Sequence, residues 1–155
     1  MHLDDLRRRA HDFEPLSRDR FLAGALLPAA WVSRAQRVRR VYAEAVARLF
    51  GRYDILLAPA TPSAATPIGA ETFEVNGHTL PVRPNMGLLT QPFSCIGLPV
   101  CAVPVWGAHA SMPIGVQVIA APWREDLVLR VAAALEAAGV AHAPVAALTL
   151  EKTPA

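Results

Sequence analysis

Two short apolar runs constrain this chain more than any other feature. The runs Leu98–Val105 and Gly115–Ala121 have the length and the valine and isoleucine content of buried β-strands. Pro99 and Pro104 lack the N–H that a strand donates, so we expect them at the ends of their strand. A loop of small and polar residues, 106–113, joins the runs. The chain is therefore predicted to form a sheet around these two strands.

A polar segment leads into the first of these strands. It carries hydroxyl, amide and thiol groups at Thr90, Gln91, Ser94 and Cys95. A chain that enters a buried strand through such groups can form one wall of a substrate pocket, and loop 106–113 could form another. The alternative is a plain strand entry whose polar groups bond to the backbone, and the sequence favours neither.

Gln117 has apolar neighbours on both sides within the second run. A side-chain amide in that position is predicted to be partly buried, and a buried amide needs hydrogen-bond partners. We therefore expect a structural role for Gln117 before any functional one.

The strongest helical pattern covers Trp31–Phe50. Its apolar residues recur at the spacing of one helix face, with arginines on the opposite side. The apolar stripe consists of Trp31, Ala35, Val38, Tyr42, Ala45 and Leu49. We expect Trp31 and Tyr42 to lie in the core and not on a ligand platform.

Three further helices are predicted. Residues 2–12 form a short helix, and a second helix is expected to begin with Ser17 as its N-cap and to run to about Leu27. The last helix starts after Trp123, carries two acids in its first turn, and ends at Gly139.

The middle of the chain predicts additional β structure. Asp54–Ala58 is a buried strand that follows a helix, which is typical of α/β folds. The Thr- and Ser-rich loop 59–70 follows, with hydroxyls that favour turns over substrate contacts. Phe73–Leu80 is predicted to be a hairpin, since Asn-Gly at 76–77 is the strongest two-residue turn signal. Residues 81–87 are expected to be irregular.

Length and composition predict one domain over residues 1–155, with 140–155 as a frayed tail. The longest apolar runs fall short of the roughly 20 residues that span a bilayer, so no membrane association is expected. The polar N-terminus is unlike a signal peptide, and we expect a cytoplasmic protein with reduced thiols. Two cysteines, Cys95 and Cys101, do not make a metal site, and no cofactor is expected.

The net charge of +2 is unevenly distributed. Residues 1–52 carry eleven arginines and six acids, whereas residues 53–155 carry three arginines, one lysine and seven acids. Nucleic-acid binding through the arginine-rich helix would need the arginines clustered on one face with stacking or base-contacting partners, and it stays a minor alternative. A solvated helix face, or an interface with an acidic protein surface, is the expectation.

Three separated motifs resemble the amidase signature family. They are Tyr53-Asp-Ile-Leu-Leu-Ala-Pro-Ala-Thr-Pro62, the G-L-P-V-x-x-V-P pattern that begins at Gly97, and P-I-G-V-Q-V-I-A from Pro113. They follow in the family's order over roughly residues 20–140. The resemblance implies an α/β fold, the C-terminal part of the family's mixed-sheet sandwich with flanking helices. It also implies hydrolysis of a small-molecule amide.

The same resemblance implies that catalysis lies elsewhere. The family uses a Ser–Ser–Lys triad, and both its Gly/Ser-rich signature and its lysine precede the motifs found here. The only lysine of this chain is Lys152. The resemblance thus implies a C-terminal portion that is inactive alone, completes the sheet and pocket, and carries no catalytic residue.

Alternatives remain at this point. The chain could be a standalone non-catalytic subunit or assembly module that pairs with a separately encoded catalytic half. A Cys–His pair, Cys95 or Cys101 with His78 or His109, is the only other nucleophilic option. Segment 90–101 also resembles a branch of the family that acts on biuret-like substrates together with a small accessory subunit.

Overall fold

The architecture comes from a computed structural model that describes residues 2–107 and 111–145. The helices are α1 (Leu3–Arg9), α2 (Pro15–Ala25), α3 (Ala29–Leu49), α4 (Val82–Asn85), α5 (Gln91–Ser94) and α6 (Glu125–Ala137), with a 3₁₀ turn at Ala10–Asp12. The strands are β1 (Ile55–Pro59), β2 (Thr72–Val75), β3 (His78–Pro81), β4 (Val100–Val105) and β5 (Ile114–Ala120). Contacts divide the chain into two compact units, Met1–Ala43 and Glu44–Ala155. The single domain expected from composition stays a prediction.

The first unit is held by a small aromatic cluster. The rings of His2, Phe13 and Phe21 meet edge to face, with centroids 5.5 to 6.1 Å apart. Leu6 of α1 is buried. Arg9 donates to the Asp5 carboxylate one helical turn earlier, at 3.0 Å. That hydrogen bond lowers the pKa of Asp5 below its ordinary range.

Helix α2 begins three residues earlier than predicted, since its N-cap is Glu14 and not Ser17. Pro15 occupies its first turn, where a missing N–H costs nothing. The Glu14 carboxylate caps the helix by accepting from the Leu16 N–H at 3.0 Å. The prediction that Ser17 caps this helix was therefore wrong.

Helix α3 matches the predicted span, but its apolar stripe is not a core face in this chain. The side chains of Trp31 and Val38 are 67% and 62% exposed, and Val46 is the one buried residue of the helix. Tyr42 is half-buried. The prediction that Trp31 lies in the core was wrong. The apolar spacing correctly identifies one side of α3, but no described residue covers the N-terminal half of that side.

The core of the second unit is a three-stranded sheet with the order β1-β5-β4. Both strand pairs are antiparallel: Leu57 lies opposite Val118, and Cys101 lies opposite the same residue from the other side. The central strand β5 has neighbours on both edges, and Val118, Ile119 and Ala120 are completely buried. The two strands predicted from the apolar runs thus lie side by side.

Helix α6 covers one face of this sheet. Val128 packs with Val103, Val118, Ala120 and Ala141 to form the hydrophobic core. Leu127, Val131 and Leu135 pack around that core. The helix stops before Gly139, which adopts a φ of 70°.

The predicted hairpin is present. Strands β2 and β3 pair in antiparallel register, and Asn76 and Gly77 have φ values of 50° and 76°. Positive φ at both central residues is the type I′ geometry that Asn-Gly favours. Residues 82–85, which were expected to be irregular, form the single turn α4.

The first residues of the predicted tail are fixed to the sheet. Ala141 is buried and bridges Val105, and Trp106 donates its indole N–H to the His142 carbonyl at 2.9 Å. The Trp106 and His142 rings also stack. Apolar burial and these bonds hold Ala141 and His142 to the sheet, and fraying of the rest of the predicted tail 140–155 stays a prediction. Residues 146–155 lie outside the described part of the chain.

Within the described part, no helix is long and apolar enough to cross a membrane.

Candidate functional site

The predicted pocket segment forms the one-turn helix α5 in front of strand β4. Gln91, Ser94 and Cys95 are exposed, and Thr90 is half-buried. Backbone bonds close the turn, from Ser94 N–H to Thr90 O at 3.1 Å and from Cys95 N–H to Gln91 O at 2.9 Å. Gly97 then turns the chain into β4 with a φ of 72°. The four predicted residues are therefore neighbours on one short polar turn.

Two of these four side chains bond locally. The Thr90 hydroxyl donates to the Gly87 carbonyl at 2.9 Å. The Cys95 thiol donates to the Pro92 carbonyl at 3.1 Å. Gln91 and Ser94 carry their polar groups at exposed positions on the same turn. Both interpretations of the segment thus find support: part of it is a backbone-satisfied strand entry, and part offers polar groups to solvent.

Gln117 connects this turn to the sheet. Its side chain is 2% exposed, and its amide Nε2 donates to the Pro59 carbonyl at 2.8 Å and to the Leu89 carbonyl at 3.2 Å. Side chains alternate along a strand, so Gln117 points away from the face that carries Val118 and α6. The chain before α5 is therefore held against the opposite face of the sheet. The structural role predicted for Gln117 is confirmed.

The bond from Gln117 to Leu89 was not anticipated. An amide inside an apolar strand signals that partners exist, but it does not say which carbonyls accept. Pro59 is the last residue of β1, and its carbonyl accepts from the Gln117 side chain and not from a ladder N–H. The distant Leu89 has no comparable signal in the sequence.

The neighbouring loop 59–70 uses its hydroxyls for turns. Thr61 donates to the Ser63 carbonyl at 2.7 Å, and Ser63 donates to the Ala64 carbonyl at 3.0 Å. These local bonds confirm the turn interpretation for both residues. Of the second predicted wall, loop 106–113, residues 108–110 lie outside the described residues.

The residues of the alternative Cys–His pair lie in separate elements, with Cys95 directly after α5, Cys101 in β4 and His78 in β3. Cys101 packs against the hydrophobic core, as expected for a small core residue. His78 lies exposed beside the hairpin turn. His109 lies outside the described residues, as does Lys152. Over residues 2–107 and 111–145, no group of three metal-binding side chains occurs.

Helix α6 begins with two acids, and one of them pairs with arginines. The Arg124 Nε–H donates to the Asp126 carboxylate at 3.0 Å, and this hydrogen bond lowers the pKa of Asp126. Arg130 lies one turn further on, 3.8 Å from the same carboxylate. This ion pair supports the helix terminus and lies outside the polar turn at α5.

Comparison with known sequences agrees with the motifs. The family model named Amidase matches residues 4–129. AtzE, the 1-carboxybiuret hydrolase subunit of Pseudomonas sp. (strain ADP), is 59% identical over 143 residues, which are 92% of this chain and 31% of that protein. A fatty acid amide hydrolase of Medicago truncatula is 33% identical over 102 residues, which are 66% of this chain and 17% of that enzyme.

Solved structures give the same result. One belongs to a vestigial protein complex described as revealing the evolutionary origins of an s-triazine catabolic enzyme. It superposes with a TM-score of 0.86 at 58% identity, over 93% of this chain and 32% of its own. A second, a crystal structure of an amidase, gives 0.81 at 31% identity, over 88% of this chain and 31% of its own. The chain spans about a third of the length of such relatives, and it belongs to the amidase signature family.

Proposed function

We propose that this chain is the C-terminal portion of an amidase-type hydrolase, which cleaves amide C–N bonds. The observation that carries the proposal is the match to the amidase family model over residues 4–129. The relative that is 59% identical is much longer, and the matched part makes up only 31% of it. The remaining length is available for the catalytic part. On this proposal the chain supplies sheet, helices and one pocket wall.

The catalytic chemistry is assigned to the part that this chain does not contain. In the family, a lysine deprotonates a bridging serine, which in turn activates the nucleophilic serine. A lysine acts as a base only where burial lowers its pKa. The one lysine here, Lys152, lies in an Ala- and Thr-rich segment at the end of the sequence. The chain is therefore proposed to be inactive by itself.

The polar turn at α5 is proposed as the pocket wall. Thr90, Gln91, Ser94 and Cys95 lie together on this turn, and Gln117 fixes its approach to the sheet. Gln91 and Ser94 are the residues best suited to bond an amide substrate, because the Thr90 hydroxyl and the Cys95 thiol already donate to carbonyls. Loop 106–113 is proposed as a second wall.

The proposed substrate class comes from the relatives. Identity of 59% to a 1-carboxybiuret hydrolase component supports a small, biuret-like amide. The solved relative belongs to a protein complex, which supports a further partner in the form of a small accessory subunit. We assign the whole enzyme to the cytoplasm, where both cysteines would remain thiols.

A chimeric enzyme tests the proposal. This chain replaces the third of the Pseudomonas relative that it matches. Hydrolysis of 1-carboxybiuret is then measured from the ammonia or amine that cleavage of the amide C–N bond releases. We expect turnover by the chimera and none by the chain alone. Turnover by the isolated chain, or a folded chimera without activity, would refute the proposal.

The pocket wall has its own test in the same chimera. Ser94→Ala removes one exposed hydroxyl from the α5 turn and is expected to raise KM about tenfold, the effect of one lost hydrogen bond. The control is Ser33→Ala, which removes an exposed hydroxyl from α3. Equal KM values for the two variants would show that Ser94 does not contact the substrate.

A standalone non-catalytic subunit is the second candidate. The exposed stripe of α3, with Trp31 67% exposed, favours a partner on that helix. Such a subunit would copurify with a separately encoded catalytic half when expressed in its own host. Trp31→Ser would then release the partner, whereas Arg37→Ser, on the polar side of α3, would retain it.

A further inference from the structure

The side-chain amide of Gln117 has one polar atom that the described chain leaves unused. Its Nε2 donates to the Pro59 carbonyl at 2.8 Å and to the Leu89 carbonyl at 3.2 Å. A side-chain amide has two N–H donors, and two carbonyls can only accept, so these bonds identify the nitrogen and leave Oε1 as the remaining atom. Among residues 2–107 and 111–145, no group donates a hydrogen bond to this oxygen.

The same oxygen lies at the protein surface. In the buried and half-buried residues that the structure describes, every completely enclosed side-chain nitrogen or oxygen has a hydrogen-bond partner. Oε1 has no partner, so it belongs to the 2% of Gln117 that stays exposed. Gln117 is thus an almost completely buried side chain with an accessible, unpaired acceptor, and such an atom calls for an explanation.

The orientation of the amide is fixed by two segments. Pro59 begins loop 59–70, and Leu89 directly precedes Thr90 and the α5 turn. A further contact joins these two segments, since the Ser63 hydroxyl donates to the Met86 sulfur at 3.9 Å. The amide cannot rotate without losing both of its bonds, so Oε1 is held as an acceptor at the place where the two segments meet the sheet.

The sheet surface around the amide carries very small residues. Ala58 of β1 and Ala102 of β4 lie directly opposite Gln117, and residues opposite each other share a face. On the β1 side, Ala60 is buried and so close to Gly115 that a β-carbon added there would lie 3.0 Å from its own. On the β4 side, Ala102 is exposed. Access to Oε1 is therefore from the side of β4, the strand that α5 precedes.

We infer that Gln117 is a specificity-determining residue of the amidase, whose Oε1 accepts a hydrogen bond from an N–H group of the amide substrate. The inference rests on the proposed function, because the α5 turn that follows Leu89 is the proposed pocket wall. Gln91 and Ser94 of that wall can both donate and accept, whereas the fixed Gln117 oxygen only accepts. It therefore favours substrates with an N–H group at this point, and biuret-like amides carry several.

Substrate analogues test the contact in the chimera described above without a change in its sequence. 1-Carboxybiuret is compared with analogues in which one N–H that is not cleaved is replaced by N–CH₃, one nitrogen at a time. At one of these positions we expect kcat/KM to fall about 30-fold or more, because the acceptor loses its donor and meets a methyl group. Equal kcat/KM values for all analogues would overturn the inference.

Gln117→Met connects that preference to the oxygen. Methionine is similar in length and has no amide, so the kcat/KM ratio between 1-carboxybiuret and the disfavoured analogue is expected to fall about tenfold. The ratio is measured within one variant and does not depend on how much of the enzyme is folded. An unchanged ratio would show that Oε1 serves water or a donor of the catalytic part, and the inference would be wrong.

Two further variants are the controls. Gln117→Glu keeps an oxygen at the accessible position and is expected to retain the preference to within about threefold, although the lost N–H groups lower the amount of folded enzyme. Ile119→Val lies on the same face two residues further along β5, is completely buried and has no polar group, so it weakens packing and leaves the ratio unchanged. Equal falls of the ratio in Ile119→Val and Gln117→Met would tie the preference to the packing of the sheet and overturn the inference.

The outcomes separate this inference from the proposed function. An active chimera that does not distinguish the analogues refutes the contact at Gln117 and keeps the amidase proposal. An inactive, folded chimera refutes both. If Gln117→Met does not fold, the analogue series in the unaltered chimera still decides whether a substrate N–H is recognised, and Gln117→Glu decides whether an oxygen at this position is required.

Discussion

Val118, Ile119 and Ala120 of strand β5 are completely buried, whereas Trp31 and Val38 of helix α3 are about two-thirds exposed. Both elements carry clear apolar patterns, so the difference comes from their neighbours. Strand β5 has partners on both edges and α6 on one face, all within residues 55–137. The stripe of α3 has no comparable cover in the described chain. An apolar period therefore marks which side is to be buried, and the cover can come from a different chain segment.

Truncation of Ile119 gives the largest expected effect and tests the contrast directly. Ile119→Ala leaves a cavity at a fully buried position and should lower the free energy of unfolding by about 2–5 kcal/mol. Val38→Ala removes apolar atoms that are already in water, so it should change that free energy by less than about 0.5 kcal/mol. Urea denaturation of the isolated chain measures both. A comparable loss at Val38 would mean that α3 is covered in solution, and the contrast would fail.

The bond network of Gln117 gives the second effect. Gln117→Leu keeps the side-chain volume but leaves the Pro59 and Leu89 carbonyls without their donor. We expect a loss of about 1–3 kcal/mol in the free energy of unfolding, the cost of unsatisfied buried polar groups. The amides of the segment before α5 should also exchange faster, because Leu89 is no longer held to the sheet. A control is Gln91→Leu, which removes an exposed amide and should leave the stability unchanged.

The same contrast explains how much of this fold the sequence predicts. Strands β4 and β5, helix α6 and the Asn76-Gly77 hairpin follow from local signals, since each meets its partner within the chain or within a two-residue turn. The exposure of Trp31 could not be predicted, because burial depends on what lies opposite the helix. The cap of α2 was missed because Glu14 is a less common cap than Ser17.

The sequence predicted where the candidate site lies, but it did not predict its contacts or its catalytic chemistry. The polar groups at Thr90, Gln91, Ser94 and Cys95 lie on one turn because they are close in sequence. The segment before this turn is held to the sheet by the hydrogen bond from Gln117 to the Leu89 carbonyl. These two residues are 28 apart in the sequence, and the spacing of apolar residues does not predict such a contact. Catalytic side chains are not assigned within this chain, because the proposed function places them in the part of the enzyme that the chain does not contain.

The ion pair at the start of α6 gives the smallest expected effect, because both its members are at the surface. The hydrogen bond from Arg124 lowers the pKa of Asp126 below the ordinary value of 3.8. A carboxylate whose pKa is lowered by folding stabilises the folded state above the unfolded pKa, and this contribution disappears as the pH falls through the folded pKa. Asp126→Asn should therefore lower Tm slightly at pH 7, while the variant and the parent should converge in acid below the ordinary carboxylate pKa.

Salt provides the second arm of that measurement. Exposed ion pairs are screened at high ionic strength, so the Tm difference at pH 7 should shrink when salt is added. Glu125→Gln is the control, because it removes a charge from the same first turn and keeps the Arg124–Asp126 bond. A Tm difference for Asp126→Asn that persists unchanged at low pH and high salt would show that packing at the helix start, and not charge, fixes α6 on the sheet. In that case, a surface residue such as Asp126 would contribute to stability through packing, as the buried residues do, although its side chain is exposed.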